Sequence, residues 1–294
     1  MTVSGVRGSG MTGSTAQSWT PAGPALLFCP ADRPERYAKA LDRADMVILD
    51  LEDAVAEVNK ADAREALIAD PIAADRVIVR INPAGSVEHQ RDLDAVQCTP
   101  YRVVMQAKVE SAAQITAHGL PTIALIETPL GAVRVEEIAA APNCVGLMWG
   151  AEDLAAGMGG TSSRFGADEP GTGGYRDIAR HVRARVRLAA AAFGVAAIDA
   201  VHIDIADVDG LVAEVRDAVA QGYTATACIH PSQVEHIRAG YAPSAERVEW
   251  ARKVCDGALA HDGGVFAVDG QMIDGPVIAQ ARAILARVMQ PPAG

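Results

Sequence analysis

Short apolar segments recur along the chain from residue 25 onward, and each is four to six residues long. A continuous apolar run of this length is typical of a strand that is buried on both faces. The eight predicted strands are 25–29, 46–50, 76–81, 102–105, 122–126, 145–149, 198–202 and 224–229.

Six segments between these strands place charged residues on one face and Ala, Leu, Val or Ile on the other, which predicts amphipathic helices. They are 33–44, 60–69, 110–117, 131–141, 176–194 and 209–222. Strands that alternate with helices predict parallel pairing, because parallel strands need a crossover connection. Eight strand–helix units between residues 25 and 240 therefore predict an α/β fold, a (β/α)8 TIM barrel. An open, doubly wound sheet is the alternative.

Two further segments flank the predicted barrel. Residues 1–24 are rich in Gly, Ser and Thr without periodicity, which predicts a disordered tail. Within it, a G-x-G-x-x-G pattern lacks the strand and the helix that a dinucleotide site requires, so we treat it as coincidence. Residues 241–294 form a C-terminal extension with two predicted helices. The Gly-rich stretch 157–174 is too long for a simple connector.

Composition narrows the classes of partner. The net charge of −11 disfavours nucleic acid, which requires clustered Lys and Arg, but it leaves phosphate-bearing small molecules open. The five cysteines contain no C-x-x-C pair, which indicates a reducing, cytoplasmic environment. No apolar run approaches the roughly 18 residues of a membrane span, and the N-terminus lacks the apolar segment of a signal peptide.

The predicted strand ends carry the candidate chemistry. In a TIM barrel the active site lies at the C-terminal ends of the strands. A buried strand should not end in three carboxylates, as "VILDLEDAVA" does, unless those groups meet water or a cation. The polar residues at these ends are Asp50, Glu52 and Asp53 (second strand), Arg80 and Asn82 (third), Lys108 (fourth), Glu127 (fifth), Glu152 and Asp153 (sixth), His202 and Asp204 (seventh) and His230 (eighth).

Glu127 and Asp153 follow adjacent strands and form a candidate metal site. Two hard carboxylates without Cys or paired His favour Mg²⁺ or Mn²⁺ over zinc. The alternative is that each is a solvated acid, or that Glu152 and Asp153 cap the following turn.

Arg80 ends an apolar strand, so its guanidinium should point into the barrel mouth, where it suits a carboxylate or an enolate oxygen. A structural ion pair with Asp50 or Glu52 is the alternative, and both roles are compatible. In "HPSQ" we favour His230 as a cap, with Pro231 at the first helical position, over a catalytic histidine.

Seven motifs together resemble the HpcH/HpaI aldolase–citrate lyase β-subunit superfamily, and specifically its stand-alone citrate lyase β-like proteins. The motifs are "LLFCPADRPERYAKAL", "VILDLEDAVA", "VIVRIN", "ALIETPLGA", "GLMWGAEDLAA", "IHPSQ" and "GQMIDGPVIAQA". The resemblance covers about residues 25 to 290. Two departures affect the expected acyl-chain or CoA contacts: Ala107–Lys108 replaces a common Pro-Lys, and Thr226–Ala227 replaces a common Gly-Lys.

The resemblance implies a TIM barrel with Mg²⁺, or alternatively Mn²⁺, held by Glu127 and Asp153. It implies that Asp50, Glu52 and Asp53 orient Arg80 and hold water near the metal. The expected substrate-binding residues are Arg33, Arg80, Glu127, Gly150, Ala151 and Glu152. Basic residues after the first strand (Arg33, Arg36 and Lys39) are candidates for the CoA phosphates.

The implied activity is Mg²⁺-dependent carbon–carbon cleavage of a carboxylate-bearing 3-hydroxyacyl-CoA, of the malyl-, citramalyl- or 3-hydroxy-3-methylglutaryl-CoA type, to acetyl-CoA and a keto acid. One alternative is a malate synthase or malyl-CoA thioesterase activity. The other is a subunit of a citrate lyase complex that acts on an acyl carrier protein thioester.

Asp274 is the last candidate. The resemblance to malyl-CoA lyase-like members implies that the extension packs on an adjacent subunit of a trimer or hexamer, where Asp274 acts as a general acid. The alternative from spacing is that Asp274 caps a helix beginning near Pro276.

Overall fold

The computed structural model describes residues 19–166, 168–170, 174–261 and 264–288. Its centre is a closed barrel of eight parallel strands in sequence order, with β8 paired to β1. The strands are β1 Ala25–Pro30, β2 Met46–Asp50, β3 Val77–Ile81, β4 Val103–Gln106, β5 Thr122–Ile126, β6 Cys144–Trp149, β7 Ala196–Asp199 and β8 Ala225–Cys228. The TIM-barrel prediction is confirmed, and the open-sheet alternative is wrong.

Helices surround the barrel and bury the outward faces of its strands. They are α1 Tyr37–Arg43, α2 Lys60–Ala69, α3 Val87–Gln97, α4 Ala112–Thr116, α5 Pro129–Val133, α6 Val135–Ala139, α7 Ala151–Gly157, α8 Asp177–Phe193, α9 Val208–Gln221 and α10 Val234–Tyr241. The long helix α8 ends at Gly194, whose φ of 67° provides the left-handed cap that a side chain would disfavour.

Side chains alternate along each strand between the barrel interior and the helical layer. On β2, Met46 and Ile48 pack inside the barrel, whereas Val47 and Leu49 pack outward. The same alternation directs the next inward position, Asp50, to the C-terminal mouth.

The N-terminal end of the barrel is closed by the first described residues and by an ion pair. Trp19 packs against the apolar cluster inside the barrel, and the Thr226 N–H donates to the Pro24 carbonyl at 2.8 Å. Asp45 is fully buried and accepts from the Ala25 N–H at 2.9 Å and from Arg238 Nε at 3.1 Å. The G-x-G-x-x-G pattern and residues 1–18 of the predicted tail lie outside the described residues.

The C-terminal extension has its own apolar core. It contains α11 Ala245–Ala260, the antiparallel pair β9 Phe266–Val268 and β10 Gln271–Ile273, and α12 Gly275–Val288. Val254, Phe266, Ile273 and Ile284 form its centre, with Trp250 packed at the edge. In the part of the chain that the structure describes, no helix is both long enough and apolar enough to cross a membrane.

Candidate active site

Three inward strand positions converge at the C-terminal mouth. Asp50 follows Ile48 on β2, Arg80 follows Ile78 on β3, and Glu127 comes directly after β5. Asp50 and Arg80 are paired in the sheet register, so their side chains start side by side. Regular strand alternation therefore assembles two acids and one base at the same rim.

Arg80 and Asp50 form a bidentate ion pair. Arg80 Nε donates to Asp50 Oδ1 at 2.7 Å and Nη2 donates to Oδ2 at 2.5 Å, while Nη1 lies 3.0 Å from Glu52 Oε2. The guanidinium also lies over the ring of Phe28 at 4.9 Å. The ion pair predicted as an alternative for Arg80 is thus present, and it fixes the guanidinium in the mouth.

Glu127 is buried and surrounded by acids. Burial, and after it the charge of Asp153, raise the pKa of Glu127 to about 8 against the opposing effect of Lys108. Gly150 makes room for this carboxylate, because a Cβ there would lie 2.7 Å from Glu127 Oε2. A carboxyl held in so unfavourable a position is typical of a site built to receive a cation.

Glu152 and Asp153 lie in the first turn of α7. The cap of α7 is Gly150 and no side chain caps the helix, so the capping alternative for these two acids is wrong. The Ser163 hydroxyl donates to Glu152 Oε1 at 2.6 Å, which ties the long β6–α8 connection to the mouth. Asp153 remains partly exposed toward the opening.

Lys108 lies at the centre of this acidic group. Its Nζ is 2.5 Å from Glu52 Oε1, 3.2 Å from Asp53 Oδ2, 3.3 Å from Asp153 Oδ1 and 3.9 Å from Glu127 Oε1. Burial alone would lower the pKa of Lys108, but its hydrogen bond to Glu52 and the nearby carboxylates raise it above the ordinary value. The side chain therefore stays charged at neutral pH.

A cavity of about 180 Å³ lies at this mouth, and it is bounded by Arg80, Glu127, Gly150 and Asp153. Its apolar walls include Phe28, Leu125, Met148, Trp149 and Ile229. A larger cavity of about 570 Å³ lies at the opposite end of the barrel, beside Tyr223 and Arg238. We assign the site to the smaller cavity, because the convergent charged groups face it.

The donor set at this cavity fits Mg²⁺. Glu127 and Asp153 supply hard oxygen ligands, and the buried Glu127 carboxylate gains from a nearby cation. No group of three or more His, Cys, Asp or Glu side chains that could hold a metal occurs among the described residues. A pair of carboxylates at a cavity suits Mg²⁺, which is commonly held by one or two carboxylates together with water and substrate.

The remaining predicted residues lie outside this cavity. Arg33 and Arg36 are exposed on the β1–α1 connection, each with only a long ion pair to a neighbouring acid. Asp274 Oδ1 accepts from the Val277 N–H at 3.3 Å and therefore caps α12, as the alternative predicted. His230 accepts from the Ser232 N–H at 3.2 Å, which confirms the capping prediction.

Sequence reasoning missed a buried lysine beneath the acidic loop. Lys60 Nζ donates to the carbonyls of Leu51 and Glu52 at 2.9 and 3.1 Å and to Asn82 Oδ1 at 3.1 Å. These bonds hold the backbone that carries Glu52. Lys60 begins an amphipathic helix, so the sequence offers no signal that its ammonium is buried.

Residues 25–231 match the family model described as HpcH/HpaI aldolase/citrate lyase. The chain belongs to this family. It is accordingly an enzyme of the carbon–carbon lyase group, as the motifs predicted. The citrate lyase subunit beta-like protein of Mycobacterium tuberculosis (strain CDC 1551 / Oshkosh) is 54% identical over 267 residues, which cover 90% of this chain and 96% of the relative.

Other members of the HpcH/HpaI family differ in activity. The (3S)-malyl-CoA thioesterase of Cereibacter sphaeroides (strain ATCC 17025 / ATH 2.4.3) is 32% identical and covers 90% of this chain and 93% of the relative. The mitochondrial citramalyl-CoA lyase of Mus musculus is 30% identical, and the match covers 89% of this chain and 84% of the relative. The crystal structure of CitE from M. tuberculosis in complex with magnesium, acetoacetate and coenzyme A has a TM-score of 0.84 and 53% identity, covering 91% of this chain and 98% of that one.

Proposed function

We propose that this chain is a Mg²⁺-dependent lyase that cleaves a carboxylate-bearing 3-hydroxyacyl-CoA to acetyl-CoA and a keto acid. One observation carries the proposal: Glu127, Asp153 and Arg80 border one small cavity at the C-terminal mouth of the barrel. The similarity to a CitE complex with magnesium, acetoacetate and coenzyme A and to a citramalyl-CoA lyase supports the same chemistry.

Glu127 and Asp153 would hold the metal, which when bound supplies a Lewis acid that makes the substrate hydroxyl more acidic. Arg80 binds the substrate carboxylate and stabilises negative charge that develops during cleavage. Asp50 and Glu52 hold the guanidinium in this orientation through bonds of 2.5–3.0 Å. Gly150, Ala151 and Glu152 line the cavity beside it. We expect these three residues to contact the substrate.

The substrate hydroxyl gives its proton to water, its oxygen becomes the keto group, and the bond between the hydroxyl-bearing carbon and the α-carbon of the thioester breaks. One product is a keto acid and the other is the enolate of acetyl-CoA, which must take up a proton at carbon. Asp50 at the cavity is engaged with Arg80, Glu152 accepts from Ser163, and Glu127 and Asp153 would be engaged with Lys108 or the metal. A separate acid is therefore required.

Asp274 is our candidate for that acid, contributed by a neighbouring subunit of a homotrimer or hexamer. It does not border the cavity of its own barrel, and the extension that carries it has a separate apolar core. The extension also leaves Met272 and Val265 about two-thirds exposed, at 65% and 68%. Apolar side chains this exposed beside Asp274 favour packing against another surface.

The CoA moiety is expected to extend over the β1–α1 connection. Arg33 and Arg36 are exposed there with weak internal ion pairs, so both are free to contact phosphate. Lys39 lies on the adjoining helix α1. A cytoplasmic location is consistent with the free thiols of Cys29, Cys98, Cys144, Cys228 and Cys255.

The decisive experiment incubates the purified full chain and Mg²⁺ with malyl-CoA, citramalyl-CoA and 3-hydroxy-3-methylglutaryl-CoA. Mass spectrometry should detect acetyl-CoA and the matching keto acid from at least one thioester. EDTA should abolish the reaction, and Glu127→Ala should be inactive with Mg²⁺. Metal-dependent activity that survives Glu127→Ala would show that the metal assignment is wrong.

A thioesterase or malate synthase-like activity is the second candidate, because a (3S)-malyl-CoA thioesterase is 32% identical to 90% of this chain. Free CoA together with an intact hydroxy acid would identify it. Activity on free CoA thioesters would exclude the remaining alternative, an obligate subunit that acts on an acyl carrier protein.

Subunit sharing is tested by mixing Asp274→Asn with Glu127→Ala, each inactive alone. Subunit exchange should restore part of the activity, because some interfaces combine an intact metal site with an intact Asp274. An active Asp274→Asn homo-oligomer would contradict the assignment of the acid. No recovery despite proven exchange would contradict sharing.

A further inference from the structure

Lys108 occupies an unusual backbone position directly after β4. Its φ is 53°, and among the described residues only Asp269 is another non-glycine with positive φ. This left-handed conformation is strained for a residue with a side chain, and such strain clusters at functional sites. It directs the Lys108 N–H to Glu127 Oε1 at 3.0 Å.

The side chain of the same residue reaches the other acids of the mouth. Nζ lies within 4 Å of two carboxylates of the β2–α2 connection, Glu52 and Asp53, and of both candidate metal ligands, Glu127 and Asp153. An ammonium group has three hydrogens to donate. Because four carboxylates share three N–H donors, the ammonium acts on them mainly through its positive charge.

The ammonium and a bound Mg²⁺ compete for the same place. Mg²⁺ binds carboxylate oxygens at about 2.0–2.1 Å. Nζ is already 3.3 Å from Asp153 Oδ1 and 3.9 Å from Glu127 Oε1, so both cations would face the same two oxygens at a separation at which they repel. The second pair, Glu52 and Asp53, offers the ammonium a position that the metal does not need.

Resting on the metal site of the proposed function, we propose that Lys108 is an internal counter-ion of this site. Its ammonium balances Glu127 and Asp153 in the metal-free enzyme, and when Mg²⁺ binds it gives up these two acids and keeps its contacts with Glu52 and Asp53. Lys108 is therefore a positioning residue that sets the affinity of the site for the metal. It also keeps the mouth folded when the metal is absent.

The test measures Mg²⁺ binding rather than turnover. Isothermal titration calorimetry is run on EDTA-stripped full chain for the wild type, Lys108→Met and Lys108→Gly. Glycine accepts positive φ and keeps the N–H to Glu127, so it removes the charged side chain without disturbing that backbone bond. Loss of a competing charge should tighten the Mg²⁺ dissociation constant about tenfold or more in both variants.

Two matched controls test whether the effect depends on a positive charge and on its location at residue 108. Lys108→Arg keeps a cation and should stay within about threefold of the wild type. Lys253→Met removes an exposed lysine of the extension and should change Mg²⁺ affinity less than about twofold. Unchanged or weaker Mg²⁺ binding in both Lys108→Met and Lys108→Gly would overturn the proposal.

Thermal unfolding supplies the second readout. In EDTA, Lys108→Met should melt below the wild type, because its carboxylates lose their balancing charge, and added Mg²⁺ should raise its Tm more than that of the wild type. Equal melting in EDTA would also overturn the counter-ion role. If the wild type binds no Mg²⁺, the metal site of the proposed function is wrong. The proposed competition between Lys108 and Mg²⁺ is then overturned as well.

Discussion

Asp45 at the N-terminal end of the barrel and Asp50 at the C-terminal end are both fully buried, and each has an arginine partner. Arg238 lies 2.9 Å from Asp45, and Arg80 lies 2.5 Å from Asp50. Viewed as isolated ion pairs, the two ends are nearly alike. Their surroundings differ.

At the N-terminal end the buried acid and its cation balance one to one, since Asp45 meets Arg238. The second acid beside Arg238, Glu235 on the same helix, is 78% exposed to water. The C-terminal mouth has a surplus of acids. There five carboxylates face two cations: Asp50, Glu52, Asp53, Glu127 and Asp153 surround Arg80 and Lys108. The comparison teaches that a buried ion pair alone marks structure, whereas an uncompensated surplus of acids beside a cavity favours the cation site that we propose there.

The largest expected effect separates the two arginines. Arg80→Met should lower kcat/KM about 10³-fold, because the substrate carboxylate and the developing charge lose their partner. Arg238→Met should leave kcat/KM within about threefold but lower the free energy of unfolding by about 3 kcal/mol, since Asp45 remains buried without its cation. Steady-state kinetics and urea unfolding measure the two quantities. Equal losses of kcat/KM in both variants would refute the distinction.

Two glycines provide a smaller, sterically matched test. A Cβ at Gly150 would meet Glu127 Oε2 at 2.7 Å, and a Cβ at Gly23 would meet Asp45 Cγ at 2.5 Å. Gly150→Ala should lower kcat/KM about 10²-fold by displacing the carboxylate that faces the cavity. Gly23→Ala should mainly lower stability, by about 1–3 kcal/mol. If Gly150→Ala kept full activity, the position of Glu127 would not matter for the reaction.

The smallest effect concerns a histidine outside both ends. Burial lowers the pKa of His118 to about 4, and its Nε2 lies 3.1 Å from Gln106 Oε1. The folded state favours the neutral ring, so its stabilisation is complete above about pH 6.5 and is lost as the pH falls toward 4. His118→Gln should reduce this acid-side loss by about 1 kcal/mol, a value discounted for the partly exposed ring.

That titration is measured by urea unfolding of wild type and His118→Gln at pH 7 and pH 4.5. The kcat/KM at pH 7 should be the same for both proteins. Parallel pH profiles of stability would show that His118 does not contribute, and a loss of activity would extend the functional region beyond the mouth.

The barrel was predictable from sequence because its strands are continuous apolar runs separated by amphipathic helices. The seventh strand was predicted at 198–202, but β7 begins two residues earlier, at Ala196. It lies in an Ala-rich stretch, in which helix and strand have similar sequences. Helix α3 was not predicted, because its buried face includes Glu88 and Asp92, which pair with Arg64. A polar face that is buried by ion pairs has no hydrophobic periodicity to detect.

The site was predictable where strand alternation controls it and unpredictable where three-dimensional distances do. Asp50, Arg80 and Glu127 follow inward-facing apolar residues, so their meeting at one rim follows from the pattern. The central position of Lys108 depends on a positive φ and on four acids from three separate connections. Neither the positive φ nor these distances can be inferred from the sequence next to Lys108.

The placement of the three tryptophans has a practical consequence. Trp149 borders the cavity, with its Nε1 2.7 Å from Asp199, whereas Trp19 lies at the opposite end of the barrel and Trp250 on the extension. Each region therefore carries its own fluorophore. Replacing two of the three by Phe gives three proteins whose emission reports separately on the mouth of the barrel, on its floor and on the C-terminal extension.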